Sequence, residues 1–143
     1  MTSTYVRSTD AEERWLLYDA SEHTLGRMAA SIARALQGKD RPTYQPNEKT
    51  GAHVVVINGA KPKFSGTKGD VKIYKSYSGY PGGLKEVPLA KVLEKRPADP
   101  VTLAVRRMLP KSRLGHDLLR RLKVYAGDEH PHTAQRPVKV ESV

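Results

Sequence analysis

The sequence has 143 residues, 25 Lys and Arg against 15 Asp and Glu, and no cysteine. That length suits one domain, the absence of cysteine excludes disulfides, thiol nucleophiles and thiolate metal sites, and the run Val54-Val55-Val56-Ile57 falls far short of the roughly 20 apolar residues of a membrane span. The first residues, with Asp10, Glu12 and Glu13, lack the apolar stretch of a secretory signal, so a soluble, intracellular, basic protein is expected.

Trp15-Leu16-Leu17-Tyr18 reads as a buried strand, and residues 19–23 as a polar turn. Thr24 is placed to cap a helix through its hydroxyl oxygen. Leu25, Met28, Ala29, Ile32, Ala35 and Leu36 form the apolar face of that helix, with Arg27, Ser31 and Arg34 opposite. Gly38 is a natural stop, because it adopts the left-handed conformation without strain. After a loop over 39–51 holding Pro42 and Pro46, residues 53–58 read as a β-branched strand covered on both faces. Strand, helix and apolar strand predict a right-handed βαβ unit with a parallel pair.

Beyond Gly59 the pattern loosens. Residues 63–65 are expected as a short strand, at an edge because of Pro62, and residues 71–77 as a loosely alternating strand. Ser78-Gly79-Tyr80-Pro81-Gly82-Gly83 is a strong loop signal. Three short helices should follow, started by Pro88, Pro100 and Ser112, the last carrying Leu114, Leu118 and Leu122. Val124-Tyr125 would add a last strand, and residues 126–143 an extended tail.

Catalytic motifs are missing. The chain holds no phosphate-cradling G-x-x-x-x-G-K-[ST], no G-x-G-x-x-G after the first strand and no G-x-S-x-G elbow. His130-Pro131-His132, with Asp128 and Glu129 upstream, is too sparse for the three or four converging ligands of a metal site, and loop packing or contact with a partner's phosphates suits it better. His23, His53 and His116 are scattered, and structural or surface roles are expected for them. No metal or cofactor is expected.

Charge is more informative. Residues 1–22 carry a net −3 and residues 23–143 a net +13, a field that attracts polyanions. Charge alone leaves open a nucleic acid, an anionic substrate or membrane surface, or no polyanion at all. Three clusters narrow the choice. Lys61, Lys63, Lys68, Lys72 and Lys75 interleave with Tyr74, Tyr77 and Tyr80; Arg106, Arg107, Lys111 and Arg113 flank Met108-Leu109-Pro110; Arg120, Arg121 and Lys123 close the last helix. Lys and Arg neutralise phosphates, and tyrosine stacks on unpaired bases or bonds the ribose 2′-OH. The expected RNA contacts are Lys68, Lys72, Lys75, Lys85, Arg106, Arg107, Lys111, Arg113, Arg120, Arg121 and Lys123.

Five segments in order carry a family likeness: 15–20 with Thr24-Leu25-Gly26-Arg27; 51–61; Ser78-Gly79-Tyr80-Pro81-Gly82-Gly83-Leu84-Lys85; 104–115 with Met108-Leu109-Pro110-Lys111; and 122–135 with Lys123-Val124-Tyr125-Ala126-Gly127. Together they resemble the bacterial form of the ribosomal large-subunit protein thirteen family over about residues 15–137. The resemblance implies an α/β fold, a three-layer α/β/α core around a mostly parallel sheet, with basic loops and an extended C-terminal tail. It implies a non-enzymatic component of the large subunit in the cytoplasm, joining early in assembly. Its partners would be large-subunit ribosomal RNA and neighbouring ribosomal proteins, with no membrane and no homo-oligomer. Residues 1–14 form an acidic N-terminal extension, 15–125 the α/β RNA-binding core with basic loops, and 126–143 the C-terminal tail. The rival readings are a small α/β enzyme acting on a nucleotide or other phosphate-bearing substrate, and a free regulatory RNA-binding protein.

Overall fold

The computed structural model describes residues 5–141, so the outermost residues of the acidic extension and of the tail lie outside the described chain. β1 (Trp15–Asp19) leads into helix α1 (Leu25–Gln37), which returns the chain to β2 (His53–Ile57). β2 pairs in parallel with β1, Leu17 opposite Val55, so the predicted unit forms. A short helix α2 (Lys68–Val71) precedes a hairpin of β3 (Ile73–Tyr77) and β4 (Leu84–Pro88). Helices α3 (Leu89–Lys95), α4 (Asp99–Met108) and α5 (Arg113–Arg120) follow, then β5 (Leu122–Val124) and β6 (Val138–Lys139). The main sheet runs β5-β2-β1-β6 and is parallel throughout; β3 and β4 make a separate antiparallel pair. This is the expected α/β class, a parallel sheet flanked by helices and consistent with a three-layer core.

The pleat explains the burial. Leu16, Tyr18, Val54, Val56 and Leu122 share one sheet face and one apolar cluster with Met28, Ile32 and Leu36 of α1, Val101 and Val105 of α4, and Leu118 of α5. Burying each large side chain of this kind stabilises the fold by about 1.5–3 kcal/mol. Alternate residues face the other way. There Trp15 stacks on His53 at 4.6 Å and meets His132 of the tail at 5.1 Å. The His132 Nε2 lies 2.8 Å from the Tyr125 hydroxyl, so the His130-Pro131-His132 segment packs onto the sheet.

Two glycines turn the chain after α1. Gly38 takes φ 77° and closes the helix, its amide donating to the Ala35 carbonyl. At Gly51 a Cβ would stand 1.9 Å from the Leu36 carbonyl oxygen, so only glycine lets the chain pass the helix end into β2.

Several expectations shift. Thr24 occupies the cap position but its hydroxyl makes no capping bond; the Leu25 amide donates instead to the Lys63 carbonyl at 2.9 Å. Residues 63–65 form no strand, only a single bridge from Lys63 to Thr24. Val71 belongs to α2, and β4 fills a stretch read only as the approach to a helix. Its alternation is masked because both faces are exposed. Ser112 does cap α5, accepting from the Gly115 amide. Leu122, read as helical, is the first residue of β5 because it pairs opposite Val54. The last strand is therefore Leu122–Val124 rather than Val124-Tyr125. The extended tail closes the sheet, with Val138 opposite Leu16. Residues 5–14 of the acidic extension also dock: the Tyr5 hydroxyl and Ser8 amide donate to Glu48, and Arg14 pairs with Asp40.

Candidate nucleic-acid interface

The bridge between Thr24 and Lys63 holds the chain after β2 beside the first turn of α1. Phe64 packs onto the core and fixes that segment's depth. The C-terminal end of α4, which packs across α1, supplies Ala104, Arg107 and Met108 as the opposite wall. The result is an open groove of about 480 Å³ into which Arg27, Lys63, Lys68, Lys72 and Arg107 face. A second groove of about 390 Å³ lies in the elbow between α4 and α5. Arg106, Arg107, Lys111 and His116 surround its apolar floor of Leu103, Leu109, Pro110 and Leu119.

Arg107 lines both grooves. Its guanidinium lies 5.9 Å from the centre of the Tyr74 ring, and the Lys72 ammonium lies 5.4 Å from it. Each cation is attracted to the ring's negative face. Burial pushes the Tyr74 hydroxyl pKa up, although the Arg107 charge opposes this. Neither groove is lined by a carboxylate, whereas three smaller clefts of the described chain have Glu12 and Glu13, Asp40, or Glu48 in their walls. Uncompensated cations in a concave, partly apolar wall focus a positive field outward.

The expected contact residues separate into groups. Lys68, Lys72, Arg106, Arg107 and Lys111 converge on the grooves. Arg113 at the start of α5, Lys85 on the hairpin and Lys123 on β5 are exposed but line neither groove. Lys75 pairs with Glu86 at 2.7 Å and Arg120 with Asp117 at 3.7 Å, so each is part-compensated. Arg121 turns inward: its guanidinium donates to the Gly51 carbonyl at 2.8 Å, and burial lowers its pKa. That bond ties the residue before β5 to the turn before β2 and leaves the side chain half-buried. The groove is also lined by Arg27, assigned from sequence to the side of α1 opposite its apolar face, and by Lys63, neither of them among the expected contacts. The signal for both was proximity to Thr24, which becomes visible only when the segment after β2 docks.

Nothing in these grooves is arranged for covalent chemistry. The ordered carboxylate at the end of β1, Asp19, accepts bonds from Ser21 and from the Asn58 side chain. Burial alone would raise its pKa, but those bonds hold it below the ordinary value. Asp19 thus locks the ends of β1 and β2 together. Among the described residues no three His, Asp or Glu side chains converge as a metal site, and no helix is long and apolar enough to cross a membrane.

Residues 13–131 match the family described as Ribosomal protein L13. Large ribosomal subunit protein uL13 of Thermus thermophilus is 53% identical over 138 residues, covering 96% of this chain and 98% of that protein. The protein of the same name from Thermotoga maritima is 48% identical over 139 residues, covering 97% and 93%. That from Koribacter versatilis is 50% identical over 135 residues, covering 94% and 95%.

Proposed function

The chain belongs to the ribosomal protein L13 family, a structural rather than catalytic constituent of the large ribosomal subunit, and from that premise we propose that its two basic grooves are its contact with large-subunit ribosomal RNA. The observation that carries this reading is that seven cationic side chains, Arg27, Lys63, Lys68, Lys72, Arg106, Arg107 and Lys111, line two grooves that share Arg107 and have no lining carboxylate. Phosphates and 2′-hydroxyls of a folded RNA would satisfy those grooves. The family sets aside the rival reading as a small enzyme.

The parallel sheet acts in this proposal as a rigid base, and the loops and helix ends it carries meet the RNA. The β3–β4 hairpin would meet a neighbouring subunit protein, since Ile73, Tyr77 and Leu84 expose apolar surface on one of its faces. Lys85, Arg113 and Lys123 would add peripheral phosphate contacts. Binding early in assembly fits a protein whose rigid core positions those loops and helix ends without help from a partner.

The test has two parts. RNA association measured against salt should fall steeply, with a logarithmic slope of about −0.9 for each duplex phosphate neutralised. An affinity that ignores salt would overturn the proposal. Arg106→Ala combined with Arg107→Ala should leave the fold intact, because both side chains are exposed, yet deplete the protein from large subunits on a sucrose gradient. Normal incorporation would remove this cluster from the interface.

A further inference from the structure

Just beyond β2 the chain leaves the sheet through Asn58-Gly59. An asparagine followed by glycine is especially open to spontaneous deamidation, because no Cβ hinders the next amide nitrogen as it approaches the side-chain carbonyl carbon. Asn47, the other asparagine of the chain, precedes Glu48 and lacks that freedom. The fold keeps the reacting groups of Asn58-Gly59 apart. Asn58 takes the left-handed conformation, φ 55°. Its side-chain nitrogen donates to the Asp19 carboxylate at 3.0 Å. The Gly59 amide, the nucleophile of the reaction, donates instead to the Tyr125 carbonyl at 2.8 Å. On either side of it the Asn58 amide donates to the Gly127 carbonyl at 2.7 Å and the Ala60 amide to the Ala126 carbonyl at 3.3 Å. Residues 58–60 are thus laced to 125–127. Gly59 is buried in that lacing, and a Cβ there would stand 2.9 Å from the Tyr125 carbonyl oxygen. The contact that demands glycine, and so makes the pair reactive, is also the contact that protects it. Its partners arrive late in the chain, so a molecule whose residues 125–127 have not docked leaves the pair free.

We propose that Asn58-Gly59 is a deamidation site gated by docking of the segment after β5, and that the acid it yields marks chains that stayed open. The Gly59 nitrogen gives its proton to solvent base and bonds to the Asn58 side-chain carbonyl carbon, and the side-chain nitrogen leaves as ammonia. Water then opens the cyclic imide at either carbonyl, giving aspartate or isoaspartate. Both products work against closure. Aspartate replaces the amide that donated to Asp19 with a second carboxylate, and like charges so close disfavour each other's ionised form. Isoaspartate adds a methylene to the backbone where three consecutive amides must meet residues 125–127.

The full-length chain is held at mildly alkaline pH in native buffer and, in parallel, in guanidinium chloride. It is then digested in acid, and conversion of Asn58 and Asn47 is read by mass spectrometry, with isoaspartate labelled by an isoaspartyl methyltransferase. In denaturant Asn58 should convert faster than Asn47, and Gly59→Ala should slow it. In native buffer Asn58 should convert at least about tenfold more slowly than in denaturant, equivalent to about 1.4 kcal/mol of opening free energy. Equal rates in the two buffers, or conversion no faster than that of Asn47 in denaturant, would overturn the site. His132→Ala loosens the tail's contacts with Trp15 and Tyr125. With native circular dichroism retained, it should raise the native rate and leave the rate in denaturant unchanged; an unchanged native rate would overturn the gate. Asn58→Asp should lower the folding equilibrium constant about tenfold. Adding Asp19→Asn, which returns an amide to the pair, should recover most of that loss. Wild-type stability in Asn58→Asp, or no recovery in the double variant, would overturn the repulsion and with it the mark.

Discussion

The β1–α1–β2 unit and the β3–β4 hairpin are both built from five-residue strands, yet their surroundings are opposite. Val54, Val55 and Val56 of β2 are fully buried, whereas every residue of β4 is exposed and Tyr77 and Leu84 face solvent. The first unit is held by apolar burial on both faces of a sheet. The second has one ladder, one ion pair between Lys75 and Glu86, and a bond from the Leu89 amide to the Lys72 carbonyl at its base. A two-stranded hairpin of that kind is marginal alone. The chain thus divides its work: one half stores stability within itself, and the other presents surface that partners complete. Charge follows the same division, since the uncompensated cations gather where the core ends and the loops begin.

This contrast can be broken by mutation. Ile32→Ala, in the fully buried centre of α1, should destabilise the protein by about 2–5 kcal/mol in denaturant unfolding. Tyr77→Ala on the hairpin should fall within about 0.5 kcal/mol of wild type. Equal effects would show that the hairpin shares the core. Ser112→Ala removes the cap of α5 and should cost about 1 kcal/mol, enough to loosen the elbow that shapes the second groove. Restored or unchanged stability in that variant would show that tertiary packing alone holds α5.

A pH series sharpens the comparison on the other sheet face. Burial first, and the Arg121 charge second, hold the His53 pKa below its ordinary value. The unfolded chain therefore takes up this proton before the native chain does. Stability should decline as pH falls through about 6.5, the ordinary histidine value, and stop declining from this source below the native pKa. His53→Phe should keep a ring against Trp15 and flatten the slope between about pH 7.5 and 5.5; an unchanged slope would assign the effect to other groups. The smallest effect belongs to the hairpin's ion pair: Glu86→Gln breaks an exposed pair and should alter unfolding by only about 0.2–0.3 kcal/mol.

The core was legible because its signals are local. Helical spacing from Leu25 to Leu36, the stop at Gly38 and the unbroken β-branched run of β2 each fix an element without reference to distant residues. The hairpin was half legible, since its turn residues stand out but β4 has no buried face to set an alternation. Leu122 misled because a leucine four positions beyond Leu118 fits a helix equally well until β2 pairs with it. The candidate interface was legible in composition and not in placement. Arg121 belongs to a basic cluster by sequence yet donates to the Gly51 carbonyl and is half-buried, while Arg27 and Lys63, thirty-six positions apart, meet in one groove where Thr24 bridges to Lys63.

Protein–RNA cross-linking within assembled large subunits, read out by mass spectrometry of the joined peptides, addresses the central claim most directly. Cross-links should concentrate on the segments holding Arg27, on residues 63–72 and on residues 106–111, with none at Lys91 and Lys95 on α3. Cross-links confined to α3 and the acidic extension, with the two grooves untouched by RNA, would contradict it.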